Sequence, residues 1–339
     1  MQQAEQPRVN ILIAVWNGAS YLPRCLEALK RQTYTNFDVT IWDNASTDET
    51  RSLIEHILPS AHTIHHQVNL GMWPAMERMI QTASGTYVLC LSVDVIIADT
   101  FIQEAVSVFE RDSSISALQP KIYQYAVREH HGALPTTTID TCGFALTRSR
   151  RVVNLGHGQP DSPTWSQMGD IFGVEGAVPM FRLSALQDAQ IQGSLIDHDY
   201  FWYGDDLDLA WRLALLGHRQ VFAPSVLAWH DRSTTKGVAN TWTDHLSRIA
   251  TRRSIPAMKR RLDYTNVRYT IIKNDHIINL VLDAPWIIGR EIGTILYMLI
   301  IEPSVLPAIA RLIRGVPAML TKRQAGMKRA RRSWRDMRV

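Results

Sequence analysis

Five carboxylates fall within a dozen residues in Asp197-His198-Asp199-Tyr200-Phe201-Trp202-Tyr203-Gly204-Asp205-Asp206-Leu207-Asp208, a run that continues as Leu209-Ala210-Trp211-Arg212. Acids crowded this closely raise one another's pKa, and a carboxyl with a raised pKa is what a general base needs. The same residues also suit a helix N-terminus, where the macrodipole favours Asp in the first turn. The run alone leaves both readings open. A helix is predicted to begin near Leu207, and Asp208 and Arg212, four apart on it, are spaced to pair with each other.

A second set of polar residues follows a different spacing. Asn17, Asp43, Asn69 and Asp94 stand after the apolar runs Val9–Val15, Phe37–Trp42, a short one near Thr63-Ile64, and Tyr87–Leu91, which read as buried strands. Helix signals lie between them. Ser20 is placed to cap a helix carrying Leu22, Cys25, Leu26 and Leu29, and Ser46 with Glu49 has the spacing of a capping box for a helix ending about Leu58. Further helices are predicted from Pro74 and from Thr100. Strands alternating with short helices imply an α/β fold, a mostly parallel sheet flanked by helices. Such sheets bind ligands at the carboxyl ends of their strands, so four polar residues in register there point to a site. Residues 120–175 read as irregular strands and long loops. The pairs His65-His66 and His130-His131 lack metal-ligand companions at helical spacing and read as solvated loop residues.

Composition narrows the class further. The chain has 339 residues, 46% hydrophobic and 20% charged, long enough for one large α/β domain or two smaller ones. Cys25, Cys90 and Cys142 are widely separated, which argues against a disulfide framework or zinc site and fits a reducing cytoplasm. The first seven residues have neither a basic n-region nor an apolar core, so no secretory signal is expected there. The net charge of +4 divides unevenly: residues 311–339 carry +9, leaving −5 for the first 310. An acidic-to-neutral body argues against nucleic-acid binding, whereas the tail could touch a polyanion such as phospholipid headgroups. The uncharged run Ile292–Ile301 is about half the roughly twenty residues a membrane span needs. With Trp286, Tyr297 and basic flanks, the segment 275–339 reads as amphipathic helices at a membrane interface. A helical unit packed on the body or on a second copy of the chain, a homodimer, is the other reading.

From Val9 to about Asp275 the chain resembles glycosyltransferase family 2, inverting nucleotide-sugar transferases of GT-A fold, and is most similar to rhamnosyltransferase-type members that build bacterial surface polysaccharides. The first strand ends in Ala14-Val15-Trp16-Asn17 and the second in Asp43-Asn44-Ala45-Ser46-Thr47-Asp48. Asn69-Leu70-Gly71 supplies the Asn-x-Gly loop, and Ser92-Val93-Asp94 stands where the family has Asp-x-Asp. Asp140-Thr141-Cys142-Gly143, Phe172-Gly173-Val174-Glu175-Gly176-Ala177 and the following Arg182 match the subgroup, as do Ala228-Trp229-His230-Asp231 and Tyr203-Gly204-Asp205-Asp206-Leu207-Asp208-Leu209-Ala210-Trp211-Arg212.

The resemblance implies a nucleotide-sugar-binding half at about 8–118 and an acceptor half at 119–274, together a GT-A domain over 1–274, with a membrane-associating tail at 275–339. Val15, Asn17, Asp43, Asn69, Gly71, Ser92, Val93, Gly176 and Ala177 would bind the nucleotide sugar, with Asp43 accepting the N3–H of uracil or thymine and Gly176-Ala177 admitting the donor sugar. Asp94 and His230 would hold Mn²⁺ or Mg²⁺ against the diphosphate. Asp206 would be the base, with Asp205 beside it perturbing its pKa, and Trp202, Tyr203 and Arg182 would meet the acceptor. The expected partners are a UDP- or dTDP-sugar, a lipid-linked polyprenyl diphosphate saccharide and the inner face of the cell membrane, where a protein of this kind would sit peripherally from the cytoplasm. A sugar nucleotidyltransferase would need a basic, glycine-rich loop after the first strand, and Ala14–Ser20 has one glycine and no basic residue. A catalytically degenerate glycan-binding paralogue draws support from Ser92 and is opposed by Asp206.

Overall fold

A computed structural model gives the structure of residues 6–128, 132–231 and 252–338; His130 and His131 lie outside the described residues. At the centre, β1 (Val9–Val15) is parallel to β2 (Phe37–Asn44) on one side and β4 (Tyr87–Ser92) on the other, and β3 (His62–His66) extends the sheet past β2. Beyond β4, the short β11 (Met180–Arg182) runs antiparallel to both β4 and β6 (Ile115–Arg128). β6 is parallel to β12 (Arg219–His230). The strand order is β10-β12-β6-β11-β4-β1-β2-β3, where β10 is Gly169–Asp170; β5 (Val95–Ile97) pairs with β12 and β7 (Gly132–Thr141) with β6. A separate small ribbon joins β8 (Phe144–Leu146) and β9 (Val152–Asn154).

Burial on both faces explains why the central strands are continuously apolar. Val9, Ile11, Ile13 and Val15 of β1 pack with α1 (Leu22–Lys30), α2 (Thr50–Ile57) and α4 (Phe101–Arg111). Leu12 points the other way, toward α3 (Met72–Thr82), α5 (Leu183–Asp188) and α6 (Asp205–Leu215). The expected α/β architecture, a mostly parallel sheet flanked by helices, is therefore what forms. All three cysteines are buried free thiols, each pushed by burial up to about 12.

Several local readings need correction. Tyr21, not Ser20, occupies the N-cap of α1, and no side chain caps α2. Ser46 belongs instead to the loop after β2: its N–H donates to Asp43 Oδ1 and its Oγ accepts the Asn17 N–H, both at 2.9 Å. Asp48 Oδ1 takes the Thr50 N–H at 3.1 Å. Helix α6 begins at Asp205, two residues early, because Gly204 at φ 85° makes the left-handed turn into it. Within 120–175, read as irregular strands and long loops, β6 enters as a strand of 14 residues and β7 follows with 10. Gln119 and Lys121 are buried polar residues in β6, so the hydrophobic alternation that announces a strand is broken there.

Four helices complete the chain: α7 (Ala257–Asn274), α8 (Ile277–Leu282), α9 (Ala284–Ile300) and α10 (Pro307–Met327). Among the described residues, Pro303–Met327 is the one helical stretch long and apolar enough, by length and composition, to cross a membrane. It is nevertheless docked on α7, where Gly315 packs so tightly on the Tyr269 hydroxyl that no side chain would fit, and that hydroxyl donates to the Arg311 carbonyl at 2.7 Å. The tail is also not a free basic arm. Lys322 pairs with Asp197 and, at 2.7 Å, with Asp199; Arg329 and Arg331 pair with Asp188 at 2.9 and 3.0 Å.

Candidate functional site

A cavity of about 370 Å³ opens at the carboxyl end of β4. Of the residues expected to form a site, Ser92, Asp94, Gly176, Ala177, Trp202, Tyr203, Asp206 and His230 line it. Met72, Trp73, Glu175 and Lys259 line it as well.

Asp94 follows β4, and Ser92 Oγ donates to Asp94 Oδ1 at 2.5 Å. His230 ends β12, the strand carried across the sheet by its parallel pairing with β6. Its Nε2 stands 3.4 Å from Asp94 Oδ2, while Nδ1 meets Asp140 Oδ2 at 2.9 Å. Burial disfavours the imidazolium, but hydrogen bonds and charge from Asp140 and Asp94 outweigh it and push His230 up to about 10. Hydrogen bonding and charge from His230, with the hydrogen bond from Ser92, hold Asp94 below the ordinary carboxylate range despite burial.

Two hard or borderline donors 3.4 Å apart can both reach one ion with bonds of roughly 2.1 Å. Asp140 behind the imidazole fixes the ring so that Nε2 faces Asp94, a carboxylate–histidine arrangement typical of metal-binding histidines. This donor set fits a divalent cation whose remaining ligands come from substrate and water. Among the described residues no group of three or more His, Cys, Asp and Glu side chains could hold a metal by themselves, so substrate oxygens would have to complete the shell.

Across the cavity, Asp206 lies in the first turn of α6. Its Oδ1 accepts the Leu207 N–H at 2.8 Å and its Oδ2 the Gly176 N–H at 3.1 Å. A Cβ on Gly176 would stand 2.9 Å from Asp206 Cβ and Oδ2. The glycine thus permits the close approach of Asp206. Burial, with like charge from Asp206 and Asp208, raises the Asp205 carboxyl to about 8, and Asp205 does not line the cavity. Asp208 pairs with Arg212 at 3.1 Å, as the spacing suggested, and with Lys273 at 2.9 Å. Asp197 pairs with Lys273 at 2.6 Å. Most of the acidic run therefore anchors helices, and Asp206 alone among its acids faces the cavity.

The remaining expected residues lie outside it. Asn17 Oδ1 accepts the Thr47 N–H at 2.8 Å, tying the loop after β1 to that after β2. The Val15 and Val93 side chains pack around Gly18 in the core. Asp43, 1% exposed, meets His65 Nδ1 at 3.1 Å through Oδ2; hydrogen bonds from Ser46 and His65 overcome burial and hold it low. His65 and His66 are on β3, not in a loop, and His66 stacks on Trp42. Asn69 Oδ1 accepts the Gly71 N–H at 2.9 Å, and Gly71 has φ 93°. Arg182 is a correction: it sits at the opposite end of β4, beside Tyr87, donating to the carbonyls of Ile115 and Phe109 at 2.6 and 2.7 Å. It cannot reach an acceptor in this cavity.

Some contributors gave no usable sequence signal. Asn44 holds the 69–71 loop, its Oδ1 accepting the Leu70 N–H and its Nδ2 donating to the Gly71 carbonyl, both at 3.1 Å. Gln119 and Gln220 accept the Glu175 and Val174 N–H groups at 2.7 and 3.2 Å and so hold the 173–177 segment. Asn266 of α7 donates through Nδ2 to the carbonyls of Tyr200, Trp202 and Tyr203 at 3.1, 2.8 and 2.7 Å. Lone amides at such positions resemble any surface Asn or Gln until the fold supplies partners.

Residues 10–158 match the profile described as "Glycosyl transferase family 2". A PGL/p-HBAD biosynthesis glycosyltransferase of Mycobacterium bovis is 34% identical over 113 residues, 32% of this chain and 44% of that protein. Chondroitin synthase of Escherichia coli is 31% identical over 115 residues, 33% of this chain and 17% of that protein. The chain thus spans less than half the length of these curated relatives. In fold it is similar to GalNAc-T7 solved with UDP, GalNAc and Mn²⁺ (TM-score 0.56, 14% identity, 80% of this chain and 51% of that one). It is similar also to the mannosyltransferase PcManGT of Pyrobaculum calidifontis solved with GDP-Man and Mn²⁺ (TM-score 0.52, 17% identity, 96% and 86%). The fold is that of the GT-A glycosyltransferases, and residues 10–158 are similar to glycosyl transferase family 2.

Proposed function

We propose that this protein is an inverting, metal-dependent glycosyltransferase that moves one sugar from a UDP- or dTDP-sugar to a lipid-linked saccharide in surface-polysaccharide synthesis. One observation carries the reading: Asp206, a partly buried carboxylate, shares a cavity with the Asp94–His230 pair. Asp206 would take the proton of an acceptor hydroxyl as it attacks the anomeric carbon. The single displacement by a single base inverts that carbon. The Gly176 N–H and the first turn of α6 hold Asp206 in place, and Trp202 and Tyr203 offer flat apolar faces to the acceptor ring.

Asp94 and His230 would hold Mn²⁺ or Mg²⁺, which when bound neutralises charge on the departing nucleoside diphosphate; both structural neighbours named above carry Mn²⁺ with their nucleotides. Asp43 favours a pyrimidine donor, since a carboxylate offers about four acceptor sites and its protein partners leave capacity for a base N–H. Rhamnose rests on the subgroup resemblance alone. The exposed face of α9 supports a membrane-bound acceptor and a peripheral position on the inner membrane face. Asp206→Asn should retain donor binding and lower transfer by about 10²–10⁴-fold. Transfer within a few-fold of wild type would remove Asp206 from the base role.

A further inference from the structure

Lys259 is the one Lys or Arg among the described residues that lines the cavity. It comes from α7, a helix outside the segments that carry the family motifs. Its ammonium lies 4.4 Å from the Tyr203 ring centroid and 4.9 Å from that of Trp202. Lys259 and Asn266 stand seven residues apart on α7, two turns and therefore one face. The face that pins the 200–203 loop thus also delivers the cation. The cavity's acids are Asp94, Glu175 and Asp206, and the charge of Asp263, a turn away on α7, also acts on Lys259. Burial lowers Lys259 from its ordinary value, and an ammonium held in such a place gains most from an anionic ligand.

The next residue, Arg260, pairs with Glu302 at 3.4 Å, and Arg252 pairs with it at 2.9 Å. Glu302 follows directly on the end of α9, whose outer face includes exposed Ile292, Leu296, Leu299 and Ile300. Lys259 therefore lines the catalytic cavity on the side of Trp202 and Tyr203, on a helix whose next residue is tied to the end of the apolar-faced α9. We propose that Lys259 is a phosphate-binding residue on the acceptor side, taking the diphosphate that joins lipid to saccharide. This rests on the glycosyl-transfer reading with a lipid-linked acceptor. The donor diphosphate is the other source of the same chemistry.

Calorimetric titration of the full chain with farnesyl diphosphate, farnesol and UDP, the last with Mg²⁺, tests it on wild type, Lys259→Gln and Lys259→Arg, with thermal melts to check folding. Lys259→Gln should weaken farnesyl diphosphate about tenfold, with farnesol unchanged and Lys259→Arg close to wild type. Weakening confined to UDP keeps Lys259 as a phosphate ligand and assigns it to the donor. Equal affinities of wild type and Lys259→Gln for both diphosphates overturn the inference, as does a parallel loss of farnesol, which marks a packing role. If wild type binds neither diphosphate, the glycosyl-transfer reading falls with it.

Discussion

Asp206 owes its position to a residue with no side chain. Gly176→Ala would place a methyl 2.9 Å from the Asp206 carboxylate, so we expect a folded protein with transfer reduced about 10–100-fold, through kcat more than through donor KM; unchanged kcat would refute the contact's importance. Asp205 carries a separate prediction. Its carboxyl is raised to about 8 by burial and neighbouring acids, so the folded state holds a proton that the unfolded chain releases near pH 4. Its stabilising contribution is full below pH 4 and is lost as pH rises toward 8, by at most about 1.4 kcal/mol per unit. Asp205→Asn removes this dependence, and its melting temperature should gain on wild type from pH 5 to pH 8; a constant difference would show that Asp205 ionises normally. Asp94, His230 and Asp206, singled out in the sequence, do meet in one cavity. Arg182 does not join them, because register alone decides which end of a strand a side chain serves.

At the scale of elements, the loop entering α6 is costly to hold. Phe201 and Tyr203 have φ of 65° and 70°, and Gly204 follows at 85°, conformations that side-chain-bearing residues adopt at a penalty. The Asn266 amide offsets this by engaging three of the loop's carbonyls. Asn266→Ala should cost about 1–3 kcal/mol of stability and lower kcat while sparing nucleotide affinity, checked by thermal melts and UDP titration. Loss of UDP affinity in step with kcat would mean that the loop serves the donor. β1 and β4 were readable because they are buried on both faces and are followed by polar residues, whereas β3, an edge strand without a buried residue, shows only as a short apolar run. The regularity of β6 was obscured by Gln119 and Lys121, polar residues inside the sheet, and Ser46 does not cap α2 because it bonds to Asp43 and Asn17 instead. Nothing local to residues 200–204 reveals that their carbonyls depend on an amide more than sixty positions away.

For the whole molecule, the outer surface of α9 is the unbalanced feature. A helix on a water-facing surface ordinarily turns charge outward, yet the exposed residues of α9, among them Trp286, Ile288, Ile292 and Leu296, are apolar, and its two charged side chains, Arg290 and Glu291, pair with each other and with Arg268. Replacing Ile292 and Leu296 with Glu should abolish sedimentation with anionic phospholipid vesicles and leave UDP affinity unchanged. Retained vesicle binding together with loss of a dimer in light scattering would assign this face to a second copy of the chain. The charge asymmetry in the sequence foretold attraction between tail and membrane, but Asp188, Asp197 and Asp199 absorb much of that charge within the fold. The sunken thiols of Cys25, Cys90 and Cys142 have a practical corollary. Folded wild type should be silent toward maleimide, so a single cysteine engineered at Ile300 can carry a polarity-sensitive fluorophore without a cysteine-free background, giving a direct optical readout of what touches that surface.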